Sequence, residues 1–200
     1  MADAKPDPAF EAARDEFLAG LAHQQASEFE LARRRYEASL RLVPGRPSTL
    51  SNLAATCLQL GDAEAALQHA EAALAAAPDD VDALVHRGRA LAQLGHTLQA
   101  LAVFEQITQR APTLAAAWSH LGHLRRELGL QAQAAEAFAT ALRLGADPEL
   151  HRFYLASVGD GAAPAAPPRA YVQQLFDGYA ADFDAHLVGT LGYHAHEALV

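Results

Sequence analysis

Between residues 10 and 148, apolar and small side chains recur every three or four positions, the spacing of helices that each bury one stripe, and the stripes break at regular places. Phe10 to Gln25 reads as a helix, preceded by a flexible segment over residues 1–9. Ser27-Glu28-Phe29-Glu30 then fits a capping box opening a second helix, which runs through LARRRYEASLRL to Val43 and is stopped by Pro44-Gly45. A second unit spans Ser48 to Leu60, turns at Gly61-Asp62 and continues from Ala63 to Ala77. The third takes Asp79 or Asp80 as its N-cap, turns at Gly95 and ends near Arg110. The fourth begins after Pro112, turns at Gly129 and ends near Leu144-Gly145.

The clearest unit, Pro78 to Pro112, has a period of 34 residues, and the same period aligns the others into columns. One column is Gly20, Ala54, Gly88 and Gly122, always small, as required where two helices cross closely. Another is Ala32, Ala66, Ala100 and Ala134, small on the facing helix. A third, Tyr36, Ala70, Phe104 and Phe138, is mostly large and suited to fill the space between units. The turn column is Ser27, Gly61, Gly95 and Gly129, and the exit column is Pro44, Pro78, Pro112 and Ala146.

On these columns the chain resembles the tetratricopeptide (TPR) family, and Trp118-x-x-Leu121-Gly122 with Ala134-x-x-x-Phe138 carries the resemblance most fully. The resemblance implies an all-α fold: a TPR superhelix of four helix–turn–helix repeats over residues 10–158. The first unit departs from the pattern at Glu16, where an apolar residue or Trp is usual, so its first helix is expected to pack loosely. Pro148 to Leu155 reads as a further helix that caps the last pair, because a repeat buries its face only against its neighbours.

Composition changes this picture little and narrows the function more. Hydrophobic residues make up 51% of the chain, dominated by the helix formers Ala and Leu. A net charge of −9 argues against a nucleic-acid partner and leaves protein partners open. The single cysteine, Cys57, excludes an internal disulfide and reads as a small buried apolar residue. With no apolar run of membrane-spanning length and no signal-peptide core, the expectation is a cytoplasmic protein without a membrane partner. The oligomeric state is left open.

The family geometry lines a concave groove with the first helix of each pair. It places Ser51, Asn52, Ala55 and Gln59 there in the second unit, Asp82, His86, Arg89 and Gln93 in the third, and Ser119, His120, His123 and Arg126 in the fourth. The partner-binding candidates are Asn52, His86, Arg89, His120, His123 and Arg126. Arg89 and Arg126 would hold a carboxylate of an acidic or C-terminal peptide, and the histidines would add positive charge below about pH 6.5. The carboxylate clamp of chaperone-tail-binding TPR domains is matched at Asn52 alone, since Phe17, Leu21, Asp82 and His86 occupy its other places. No metal site is expected: neither the groove histidines nor His194-x-His196-Glu197 has a recognisable ligand spacing. No catalytic residue stands out.

Residues 159–168, GDGAAPAAPP, read as a linker at a domain boundary. The tail at 169–200 has helical spacing with aromatic emphasis. Tyr171-Val172-x-x-Leu175-Phe176-Asp177-x-Tyr179-Ala180-x-x-Phe183-Asp184-x-His186-Leu187, followed by Leu191-Gly192-Tyr193, resembles the segment preceding the Rossmann core in TPR-fused, S-adenosylmethionine-dependent methyltransferases. That resemblance implies lid-like or docking roles for Tyr171, Phe176, Tyr179 and Phe183. The glycine-rich turn that holds the cofactor in that family is absent from these 200 residues, so the chain reads as carrying no cofactor itself. S-adenosylmethionine would enter only with a downstream domain. The alternatives are the truncated N-terminal region of such an enzyme and a free-standing TPR scaffold whose tail covers its own groove or mediates self-association.

Overall fold

A computed structural model describes residues 7–162, 166–173 and 175–176. All regular structure among them is helical: α1 (Pro8–Gln25), α2 (Phe29–Leu42), α3 (Pro47–Gln59), α4 (Ala63–Ala76), α5 (Val81–Gln93), α6 (Thr97–Arg110), α7 (Ala115–Glu127), α8 (Gln131–Arg143) and α9 (Pro148–Ser157). Residues 169–173 and 175–176 are helical as well. The first eight helices form four antiparallel pairs. Each second helix also packs on the first helix of the next pair, and α9 closes the row on α8. This is the TPR superhelix that the columns predict.

The joint inside each pair follows from the small and large columns. A Cβ added at Gly20, Gly88 or Gly122 would lie 2.6, 2.7 or 2.5 Å from the ring of Tyr36, Phe104 or Phe138 respectively. The aromatic side chain of the second helix therefore lies flush on the bare backbone of the first. The second repeat solves the same problem differently, with Ala54 opposite Ala70, both fully buried. Between repeats the core passes through Tyr36, Leu53, Cys57 and Ala66, then through Leu84, Leu91, Phe104, Ile107 and Leu121, and ends on Phe138, Leu150 and Tyr154.

Turn chemistry corrects one expectation. Gly61, Gly95 and Gly129 adopt the left-handed conformation at φ 75, 75 and 76°, and Ser27 does so at φ 60° in the first repeat. Ser27 therefore belongs to the turn and is not the N-cap of a capping box. Glu28 takes the N-cap position without a side-chain cap bond, and its Oε2 lies 2.6 Å from His23 Nδ1 instead. Asp80 is the cap of α5, accepting from the Ala83 N–H at 3.1 Å, whereas Asp79 pairs with Arg110 at 2.9 Å. The first helix begins at Pro8, capped by Asp7, slightly earlier than the sequence pattern indicates.

Candidate functional site: the inner groove

Positions 34 residues apart share a register on the first helices, which generates two rows across the inner face. One row is Leu18, Asn52, His86, His120 and Tyr154. The other is Leu21, Ala55, Arg89, His123 and Ser157. The predicted residues of the third and fourth repeats come together: the Arg89 charge acts on both His86 and His120, and Arg126 and His120 act on His123.

These histidines are not the acid-strengthened cations the sequence leads one to expect. His120 stacks on Phe104 with ring centroids 4.7 Å apart, and burial, reinforced by Arg89, lowers its pKa to about 4. His123 lies edge-on to Phe138 and Tyr154, at 5.1 and 4.4 Å, and burial, then Arg126, His120 and His151, lower its pKa to about 3. His86 is lowered by burial and by Arg89, and its Nδ1 is buried without a hydrogen-bond partner. At neutral pH all three are neutral donor–acceptors, so the positive charge of the groove is carried by arginine.

The two arginines differ. Arg126 donates to Ser157 Oγ at 3.3 Å and lies 5.9 Å over the Tyr154 ring, so the cap helix α9 already engages it. Arg89 has no hydrogen bond or ion pair among the described residues, and burial lowers its pKa while it remains a cation at neutral pH. By contrast Arg33, Arg35, Arg87, Arg110 and Arg125 all face carboxylates. Arg89 is therefore a partly desolvated cation, between neutral imidazoles, that the described chain leaves without a counter-ion.

Several other predicted positions do less. Asn52 turns its amide back to the Ser48 carbonyl at 2.8 Å, leaving its carbonyl oxygen for a ligand. Ser51 is buried rather than on the groove face. Ser119 Oγ donates to the Ala115 carbonyl at 3.1 Å and lies 2.7 Å from His151 Nε2, whose Nδ1 donates to the Asp147 carbonyl at 2.8 Å. Cys57 is fully buried, with its thiol pushed up to about 11 by that burial, and is inert as a nucleophile. Tyr171 packs on Phe153 and Tyr154, at 4.6 and 6.5 Å, while Phe176 is 65% exposed. Tyr179 and Phe183 lie outside the described residues. No group of His, Cys, Asp and Glu among the described residues is placed to hold a metal, and no described helix is long and apolar enough to cross a membrane.

Sequence reasoning treated Phe17 and Leu21 of the first repeat only as departures from the carboxylate clamp and overlooked the apolar stripe around Phe17. Phe10, Phe17 and Leu18 form an apolar stripe on α1, and Arg46 lies 4.9 and 5.9 Å over the two phenylalanine rings. The signal was present in the register: Leu18 stands in the row of Asn52 and His86.

Four helix pairs stacked into one solenoid, with a polar and apolar inner face, define a helical-repeat binding scaffold. A family model for the tetratricopeptide repeat matches residues 17–81 and 85–151, and the chain belongs to that family. It is similar to TTC0263, a thermophilic TPR protein in Thermus thermophilus, with 25% identity, coverage of 74% of this chain and 81% of that one, and a TM-score of 0.64. It is also similar to YrrB, a TPR protein with an unusual peptide-binding site (23% identity, coverage of 73% and 74%, TM-score 0.63). A third is the first TPR of Spaghetti (RPAP3), solved bound to the HSP90 peptide SRMEEVD (19% identity, coverage of 60% and 95%, TM-score 0.58). No curated protein matches the sequence.

Proposed function

We propose that this chain is a protein-recognition module that holds an acidic peptide segment of a partner in the inner groove, with Arg89 as the charged anchor. The observation that carries the reading is the unpartnered, partly buried Arg89 between His86 and His120 in a chain of net charge −9. A carboxylate there gains a charge-assisted, bidentate pair, and the neutral imidazoles add hydrogen bonds without competing for the anion. Peptide binding by YrrB and by the RPAP3 domain supports the general mode. The test is fluorescence anisotropy of a labelled Glu/Asp-bearing peptide set against its Gln/Asn counterparts. Arg89→Ala should abolish the preference for the acidic set; an unchanged preference would refute the role of Arg89. Arg126→Ala should act mainly on the stability of α9.

A second element of the proposal concerns residues 169–200, whose aromatic pattern supports a role as the lead-in to a methyltransferase domain that would bring S-adenosylmethionine. Reading the coding frame beyond Val200 for a strand ending in a glycine-rich turn tests this, and a stop codon there would sink it. The alternative is a free-standing cytoplasmic scaffold.

A further inference from the structure

The register that aligns the four repeats does not stop at α8. Shifted by 34 residues, α9 falls on the first-helix positions of a fifth unit, and the helical residues 169–176 fall on its second-helix positions. The packing agrees. Tyr154 and Ser157 continue the two inner rows. Pro168 stands in the column of Ala32, Ala66, Ala100 and Ala134 and is buried as they are. Tyr171 packs on Phe153 and Tyr154, at 4.6 and 6.5 Å. The fifth unit departs from the others in one place. Ser39, Ala73, Ile107 and Ala141 form a column that is fully buried in every preceding unit, and its fifth member, Leu175, is 58% exposed. Phe176 follows Leu40, Leu74, Thr108 and Leu142, all buried or half-buried, and is 65% exposed.

The cause lies in the facing column on the first helices. There Leu50 packs in one cluster with Ala73, and Leu84 in another with Ile107. The first and fifth units carry a charge at that position, Glu16 and Arg152. In the first unit the charge goes with the polar Ser39, whose hydroxyl donates to the Ala13 carbonyl at 2.7 Å. In the fifth it goes with a leucine and a phenylalanine. This end therefore presents two large apolar side chains that its own first helix does not cover.

We propose that residues 177–200, which lie outside the described residues, dock on Leu175 and Phe176 and complete this end of the solenoid. Three features commit the patch to that occupant. The segment follows Phe176 directly, so bringing it to the patch closes almost no loop and costs little chain entropy. Its Tyr179, Phe183, Leu187 and Leu191 recur every four residues, an apolar stripe that needs a surface to rest on. Its charged residues are Asp177, Asp182, Asp184 and Glu197, with no Lys or Arg. The fifth unit exposes Arg152 and Arg169, neither of them in an ion pair among the described residues, so the charges are complementary. The inner rows are built from first helices, so a segment seated on this second helix leaves them clear. The tail then belongs to the end of the solenoid and does not plug its groove. This inference is independent of the reading of Arg89.

Hydrogen–deuterium exchange on the full 200-residue chain tests this, read on the amides of residues 169–176. Phe183→Ser combined with Leu187→Ser should speed their exchange about tenfold while leaving α3 to α6 unchanged. Phe176→Ser should have the same effect, and adding it to the tail pair should bring little further increase, because both remove one contact. Exchange at 169–176 that ignores the tail pair, or effects that simply multiply, would overturn the proposal. Should the serine pair loosen α3 to α6 as well, a milder pair decides. Asp182→Asn with Asp184→Asn keeps the apolar stripe and should speed exchange at 169–176 about twofold in low salt, with the difference fading at high salt. No change there in low salt would sink the idea. Protection of 169–176 that rises with chain concentration would assign the patch to a second copy and overturn the proposal too.

Discussion

At the amino-terminal end of the solenoid, α1 meets solvent with Glu16 in the column where later repeats carry Leu50, Leu84 and Trp118, and Glu16 is held by Arg35 at 3.2 Å. At the carboxyl-terminal end, α7 and α8 are covered by α9 and by Tyr171, with Leu150, His151 and Tyr154 buried beneath. Both ends share the same internal joint, Gly20 on Tyr36 and Gly122 on Phe138. What differs is how each finishes. A repeat that buries its face only against neighbours must either make its last face polar or add an element to cover it. This chain does the first at one end and the second at the other.

The largest expected difference comes from removing the cap's central ring. Tyr154 touches His123, Phe138, His151, Phe153 and Tyr171. Tyr154→Ala should cost about 3–5 kcal/mol, in the range for deleting a buried aromatic side chain. The loss should be read first by Trp118, the only tryptophan, which lies on α7 and donates to the Pro112 carbonyl at 2.9 Å. Leu18→Ser at the amino-terminal end should change stability by no more than about 0.5 kcal/mol. Equal losses in urea titrations of the two variants would remove the distinction between the ends.

The internal joint should respond alike at both ends. Gly122→Ala places a Cβ 2.5 Å from the Phe138 ring, and Gly20→Ala places one 2.6 Å from Tyr36, whose hydroxyl is tied to Gln24 Oε1 at 2.6 Å. Each should cost about 1–3 kcal/mol as overpacking. Gly122→Ala combined with Phe138→Ala recreates the Ala54–Ala70 pair of the second repeat, so the double variant should lose less than the two single losses added together. A thermal-melt cycle that came out additive would refute the steric coupling between the two columns.

Acid should act on the carboxyl-terminal end. His120 and His123 have folded pKa values near 4 and 3, below the ordinary 6.5, so between pH 6.5 and those values the unfolded chain binds more protons than the folded one. Stability is fully present above pH 6.5 and falls on acidification, by about 1.4 kcal/mol per pH unit for each histidine inside its window. Trp118 fluorescence melts from pH 7 to pH 4.5 should show this decline, and His123→Phe, which keeps a ring between Phe138 and Tyr154, should make it shallower. A slope unaltered by His123→Phe would mean that other groups carry it.

The architecture was legible in the sequence because column identity is a packing rule: a glycine with an aromatic residue 16 positions later is visible as letters. The adjacency of Arg89, His86 and His120 was legible for the same reason. Other features depend on what lies opposite, which the period does not encode. Ser27 looks like a cap residue, yet it fills the left-handed turn position that glycine holds elsewhere. The histidines look titratable until Phe104, Phe138 and Tyr154 are seen against them. Arg126 looks like a second anchor because α9, which occupies it, lies outside the repeats proper.

The smallest expected effect is at Glu16, and it bears most directly on why the two ends differ. The Glu16–Arg35 pair is largely solvated, and such pairs contribute about 0–1 kcal/mol. Glu16→Leu restores the apolar identity of Leu50 and Leu84 in that column, but no preceding repeat is present among the described residues to bury it. Monomer stability should therefore shift by no more than about 0.5 kcal/mol in either direction. What should change is association: a leucine beside the exposed Phe10 and Leu18 enlarges an apolar patch at the end of a stackable solenoid. Sedimentation velocity over a concentration series should show Glu16→Leu self-associating more strongly than the parent chain. If the variant sediments unchanged, the polar residue is not what keeps that end unpaired, and the amino-terminal finish would have to be attributed to the shape of α1 instead.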